Sequence, residues 1–286
     1  MLKLSVCVLP LLAAATSAQV RLLDAADVPA RKAAATKIER VIDAQHDLAT
    51  TVALAATSGA SLPAGSRARA VLGEALRRAN QSDDAERAVS RLRLDLGELV
   101  DTLTFRPVDE AEVPKGFPVF AGLDEIELRT YPAYRMARTA MKGSGSNGAF
   151  WPLFNHIKDN GIAMTSPVQM DYDDDGERAA SMAFLYGDPS MDPSKVADNV
   201  EVVDVPAATV LSIGANGYER KGRVAAMEQR LRDFVRSTRG AWVVAGPLRT
   251  MAYNSPMVRG DRRYFEVQLP VRRADGKQAQ REQAQK

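Results

Sequence analysis

The chain has 286 residues, 45% of them hydrophobic and 26% charged, a balance typical of a water-soluble globular protein and not of a disordered chain. Lys+Arg 38 against Asp+Glu 36 leaves a formal charge of +2 with no basic run, which argues against a nucleic-acid binder. The one long apolar stretch lies at the extreme N-terminus and is too short to span a bilayer. These figures speak against a membrane channel, a collagen-like fibre and a disulfide scaffold.

Residues 1–18 read as a secretory signal. Lys3 supplies the positive start, Leu4 to Ala15 the apolar core, and Thr16-Ser17-Ala18 the small residues before a cut at Gln19. The expected location is therefore periplasmic or secreted. The single cysteine, Cys7, falls inside this segment. A mature chain without cysteine has no disulfides, no thiolate catalysis, no Cys-ligated zinc or iron–sulfur site and no covalent c-type haem attachment.

Residues 19–105 read as a helical bundle rich in Ala, Leu, Arg and Asp. Of 8 Phe, 2 Trp and 7 Tyr, none precedes Phe105. Ile38, Ile42, Gln45, Ala49, Val52 and Ala56 alternate spacings of four and three, one helix face. Gly59 to Gly65, with Pro63, is a turn. Val71, Ala75, Leu76 and Ala79 mark a second helix. Ala85, Val89, Leu92, Leu96, Leu99 and Leu103 mark a third, with Ser82 as the predicted N-cap. His46 sits among polar residues and reads as a surface histidine.

Residues 106–117, with Pro107 and Pro114, read as a linker, and 273–286 as a disordered tail. Between them, 126–143 and 200–217 align without a gap. Glu127 matches Glu201, Pro132-Ala133 matches Pro206-Ala207, and Gly143 matches Gly217. Both read as strand, Pro turn, strand. A helix follows each, carried by Phe150, Leu153, Phe154 and Ile157 in the first, with Asn147 as cap. Val224, Met227, Leu231, Phe234 and Val235 carry the second. Further strands are predicted over Ile162–Tyr172, Ala180–Tyr186, Ala241–Tyr253 and Arg263–Val271. The fold class is α+β: a duplicated ββαββ repeat, about eight strands in a distorted antiparallel barrel or sheet with two helices and a ligand cleft between helix and sheet.

Residues 118–271 resemble the SOUL/haem-binding protein family. The carriers are Ile162-Ala163-Met164-Thr165-Ser166-Pro167-Val168, then Tyr253-Asn254-Ser255-Pro256, and the opening strand with Glu127, Arg129, Tyr131 and Pro132-Ala133. The resemblance implies the same two-repeat barrel, akin to effector-binding domains of gyrase-inhibitor type. It also implies non-covalent binding of haem or another tetrapyrrole in an apolar cleft beside the first helix, by a carrier or buffer and not by an enzyme. Where an animal member has a proposed iron-ligating histidine, this chain has Thr130.

His156 is the only histidine in the duplicated domain. It reads either as an axial iron ligand or as a solvated residue turned away from the apolar helix face. Met136 and Met164 read as soft iron ligands, pocket lining or core. Phe150, Trp151, Phe154 and Ile157 are candidates to contact a porphyrin, Trp151 lying off the core face. Arg135, Arg138, Lys142 and Lys158 are candidates for propionates or ordinary solvated charges. Thr165-Ser166-Pro167 and Asn254-Ser255-Pro256 read as structural turns. Asp171, Asp173, Asp174, Asp175 and Gly176 read as a hairpin turn, not a calcium loop. Glu127 and Glu201 are general-base candidates only if buried. Two other readings stay open. One is an interaction module whose N-terminal helices bind a protein or the envelope, and the other a hydrolase of a small hydrophobic molecule.

Overall fold

The computed structural model describes residues 27–141, 147–173, 175–176 and 178–274. The predicted signal, Lys142, Asp174, the side chain of Asn147 and the tail from residue 275 lie outside the described set.

The N-terminal region is four helices, α1 (Asp27–Asp43), α2 (Leu48–Ser58), α3 (Arg67–Asn80) and α4 (Ala85–Thr104). The single helix expected from Ile38 to Ala56 is thus two. Its apolar spacing runs on, but Asp47 turns out of the helix and accepts a hydrogen bond from the Thr50 amide (2.7 Å), so a new N-terminus starts there. The cap of α4 is Asp84, not Ser82. Asp84 accepts from the Arg87 amide (3.0 Å), while the Ser82 hydroxyl accepts from the Asp84 amide. Ile38, Leu62, Leu72, Leu92, Leu96 and Leu99 fill the bundle core. His46 is exposed, as expected.

The remainder is a curled antiparallel sheet. In chain order come β1 (Ile126–Tyr131), β2 (Tyr134–Ala140), α5 (Asn147–Asp159), β3 (Val168–Tyr172), β4 (Ala179–Leu185), β5 (Glu201–Val205) and β6 (Ala208–Asn216). Then come α6 (Lys221–Ser237), β7 (Trp242–Val244), β8 (Arg249–Ala252) and β9 (Tyr264–Arg273). Spatially the order is β1-β6-β9-β8-β3-β4-β2-β5, with short β7 added against β9. The strand expected over Ile162–Tyr172 begins only at Val168, after Pro167, which has no N–H for a ladder. The strand expected over Ala241–Tyr253 is split into β7 and β8 around Gly246-Pro247.

The Pro-Ala pairs do not make hairpins. β1 pairs with β6 and β2 with β5. Tyr131 faces Ala208 and Tyr134 faces Val205, in one continuous register. Two long strands therefore lie antiparallel, each bent where a proline interrupts the ladder. The bends curl the sheet and give it two faces. One packs under α5 and α6 through Leu153, Ile157, Phe184, Leu231, Phe265 and Val267. The other is the inner face. Arg249 on β8 reaches Gln268 on the adjacent β9 and also Tyr134 on β2, which β3 and β4 separate from β8 in the sheet order.

The helical region is fixed to the barrel. Glu125, just before β1, accepts hydrogen bonds from the Arg67 and Ala68 amides (2.8 and 2.9 Å) at the start of α3. Burial raises its pKa, against the pull of those two amides and Arg31. Nor is 106–117 a free connection. The Ser166 amide and hydroxyl donate to the Glu112 and Ala111 carbonyls. Asn254 Nδ2 donates to the Val108 carbonyl, and the Ser255 amide and hydroxyl donate to Glu110. The segment is a strap over the inner face. Phe117 sits edge-on to Tyr131 and Tyr134, and Phe120 edge-on to Tyr253 and Tyr264.

Candidate functional site

The predicted site residues separate into three environments. On α5, Ala149, Leu153 and Ile157 pack onto the sheet. The helix closes on β2 and β4, so it presents a ledge outward and not the cleft expected beneath it. The ledge is aromatic. Phe150 and Phe154 are stacked with centroids 5.9 Å apart, and Trp151 stands edge-on to both at 5.5 and 5.8 Å. Trp151 is 58% exposed. Lys158, further along α5, is exposed, and so is Met164 on the loop that leaves the helix.

His156 is neither solvated nor free. It is 4% exposed, and its Nε2 lies 2.7 Å from the Tyr186 hydroxyl. Its Nδ1 is buried without a hydrogen-bond partner. The helix wheel points it away from the apolar stripe correctly, but Ser194 and Lys195 are pinned to Asn160 and close over that side. Burial lowers the His156 pKa, with the Asp159 charge and the Lys195 backbone opposing. The same burial pushes the Tyr186 hydroxyl up to about 12.

Two residues fall elsewhere. Met136 points to the inner face, buried with Tyr134, Ala183 and Leu185, so it does not border α5. Alternation along β2 explains this, since Ala137 takes the helix side. Arg135 holds Asp204 through two parallel hydrogen bonds (2.7 and 3.0 Å) and also meets Asp192. Arg138 pairs with Glu201, which is exposed, and Glu127 accepts from the Gly122 amide and Arg129. Asp173 to Arg178 close the β3–β4 hairpin, with Gly176 at φ +69°. Among the described residues no His/Cys/Asp/Glu group is placed to hold a metal ion. Nor is any helix there long and apolar enough to cross a membrane.

Sequence reasoning missed the inner face. Glu266 is wholly buried and accepts from the Ala121 amide, the Tyr264, Tyr131 and Ser212 hydroxyls and Gln268 Nε2, at 2.8 to 3.1 Å. Burial opposes its ionisation. The Arg129 charge, 3.9 Å away, outweighs this together with those donors, and the pKa falls below the ordinary glutamate value. Arg249 extends the network by donating to Gln268 and to the Tyr134 hydroxyl, which donates to Gln169. The alternation Tyr264-Phe265-Glu266-Val267-Gln268-Leu269 was the available signal. It reads as a strand with one wet face, whereas both faces here are covered.

A family model of SOUL heme-binding proteins matches residues 115–270, more than half of the chain. The chain belongs to the SOUL heme-binding protein family. No curated protein matches it. Among solved structures it is similar to the C-terminal domain of EcmrR, at 15% identity over 52% of this chain and 98% of that one, TM-score 0.43. It is also similar to a hydrolase from Listeria innocua, at 12% identity over 54% and 94%, TM-score 0.39. A third is SAV2435 bound to tetraphenylphosphonium, at 12% identity over 52% and 94%, TM-score 0.32.

In this SOUL protein two of the three segments that carry the resemblance, those around Ser166 and Asn254, do one structural job, clasping the strap. Haem is the group the family implies. The ledge of Phe150, Trp151 and Phe154 suits the flat apolar face of a tetrapyrrole. No accessible axial nitrogen is offered by the two candidate positions, because His156 Nε2 is held by Tyr186, its Nδ1 is buried, and Thr130 has no side-chain nitrogen.

Proposed function

We propose that this SOUL protein is exported and holds haem or another tetrapyrrole reversibly, as a carrier or buffer. Binding is non-covalent and uses the α5 ledge. One observation supports the site above the rest: Trp151 is left 58% exposed beside two half-buried aromatic rings. The ring is clamped by apolar burial, at about 25 cal/mol per Å². Lys158 supplies a charge for a propionate, and Met164 an accessible thioether. Arg135 is committed to Asp204, and His156 stays with Tyr186. Without an axial imidazole, affinity is on the order of micromolar. Export rests on residues 1–18, with Gln19 as the first mature residue.

The test is a haemin titration of the mature protein followed in the Soret band. Trp151→Ala is expected to weaken binding about tenfold, and His156→Gln to leave the spectrum unchanged. An imidazole-ligated spectrum lost only in His156→Gln would overturn the clamp. No binding at roughly 50 µM haemin would overturn the haem-binding function itself.

A further inference from the structure

We infer that the junction between the helical region and the barrel holds a second site, built for an organic anion with an apolar body. A cavity of about 480 Å³ lies between α1, the end of α4, the strap and β1. That is the size of a small-molecule site. It lies away from α5, which packs on the other face of the sheet. Part of its wall comes from helices outside the family match, so it stands or falls independently of the haem reading.

The polar end is defined by two buried arginines. Arg31 on α1 is 8% exposed and Arg129 on β1 is 6% exposed. Nε of Arg31, and Nε and Nη2 of Arg129, are buried without a hydrogen-bond partner. Arg129 Nη1 already donates to Glu127 (2.9 Å), and Glu266 stands behind it. Buried polar groups without partners are rare in folded proteins, and these three nitrogens belong to residues of one cavity wall. Lys32 and Arg106 add two exposed cations at the rim, while Glu127 is the one carboxylate among the lining residues. Every group of this wall left without a hydrogen-bond partner is a donor, and the rim cations meet Glu127 as the one lining carboxylate, with Glu266 behind Arg129. A carboxylate is the matching occupant, because it only accepts and its two oxygens fit the guanidinium fork.

The rest of the wall is apolar. Leu103, Phe105 and Phe120 line it, and Val28 and Val119 lie at its mouth. Val119 is 83% exposed, an apolar side chain that a ligand body would cover. Gly122 makes the arrangement possible. A side chain there would run into the Arg31 guanidinium, so glycine lets Arg31 reach the wall.

The experiment is calorimetric titration of the mature chain with decanoate, with decanol as the uncharged analogue. Decanoate is expected to bind at least about tenfold more tightly than decanol, the scale of one charge-assisted hydrogen bond. Arg31→Gln removes the charge and is expected to erase that preference. Because Arg31 is buried, Val119→Glu serves as a second variant at an exposed position. It places a like charge at the mouth and is expected to weaken decanoate while sparing decanol. Equal binding of the two ligands, no binding of decanoate at about 1 mM, or decanoate binding untouched by both variants would overturn the site. Loss of decanoate binding in Trp151→Ala would also overturn it, by placing the ligand on the α5 ledge.

Discussion

The two faces of this one sheet are built on different principles. Under α5 and α6 the contacts are apolar and divide into two separate clusters, one around Leu153 and one around Leu231. On the inner face Glu266, Arg129, Tyr131, Gln268, Arg249 and Tyr134 form one linked set. Apolar packing tolerates local loss because each contact is short-ranged and non-directional. A buried polar network stabilises only when complete, since any member left alone is a desolvated charge or dipole. The helix face therefore fails locally, and the inner face fails as a unit.

The largest expected effect breaks the inner face. Glu266→Ala leaves Arg129 with a buried, poorly compensated charge and should cost about 3–5 kcal/mol in urea unfolding. Adding Arg129→Met should return part of that loss. On the helix face, Leu153→Ala and Leu231→Ala should each cost about 2–5 kcal/mol and add nearly independently. Simple additivity in the Glu266/Arg129 pair would show that the inner face is no unit.

A smaller effect tests the join to the helices. Glu125→Ala removes the acceptor for two amides of the first turn of α3 and should cost about 1–2 kcal/mol, as other lost helix caps do. Hydrogen exchange at Arg67 and Ala68 should rise ahead of the barrel amides. Unchanged exchange there would remove Glu125 from the interface account.

Next comes a pH effect confined to the helix face. The folded-state pKa of His156 is depressed from its ordinary 6.5 by burial. Below pH 6.5 the unfolded chain takes up a proton that the folded chain resists. Stability carried by the neutral imidazole is therefore lost as pH falls from 6.5 through the folded-state value. His156→Gln should flatten this part of the stability profile, and equal slopes would place the imidazole in water. The smallest effect is at the strap, where Ser255→Ala should speed exchange of nearby amides with little change in global stability.

The elements with an apolar stripe of their own were legible in the sequence. The faces of α5 and α6, the Gly59–Gly65 turn and the Asp-Gly hairpin all follow from neighbours a few residues apart. What was not legible depends on distant partners. Pro132 and Pro206 mark bends, but only the pairing of β1 with β6 and β2 with β5 shows that neither bend is a hairpin. His156 is buried by a segment more than thirty residues downstream, which no helix wheel contains. Glu266 draws its partners from β1, β6 and Ala121, which follows the strap, so its alternating strand reads as half-wet until those elements are in place. Of the candidate residues, helical spacing puts Phe150, Trp151 and Phe154 side by side on α5, and of the readings open for Met136 the structure shows the core one, because strand alternation sends it to the inner face.

The most direct measurement compares haemin with metal-free protoporphyrin on the mature protein. If the α5 ledge clamps the ring by apolar contact, the two should bind within about threefold of each other, and Trp151→Ala should weaken both alike. Haemin bound far more tightly than the metal-free ring, with the excess lost in His156→Gln, would contradict the account. It would mean that His156 leaves Tyr186 to bind iron.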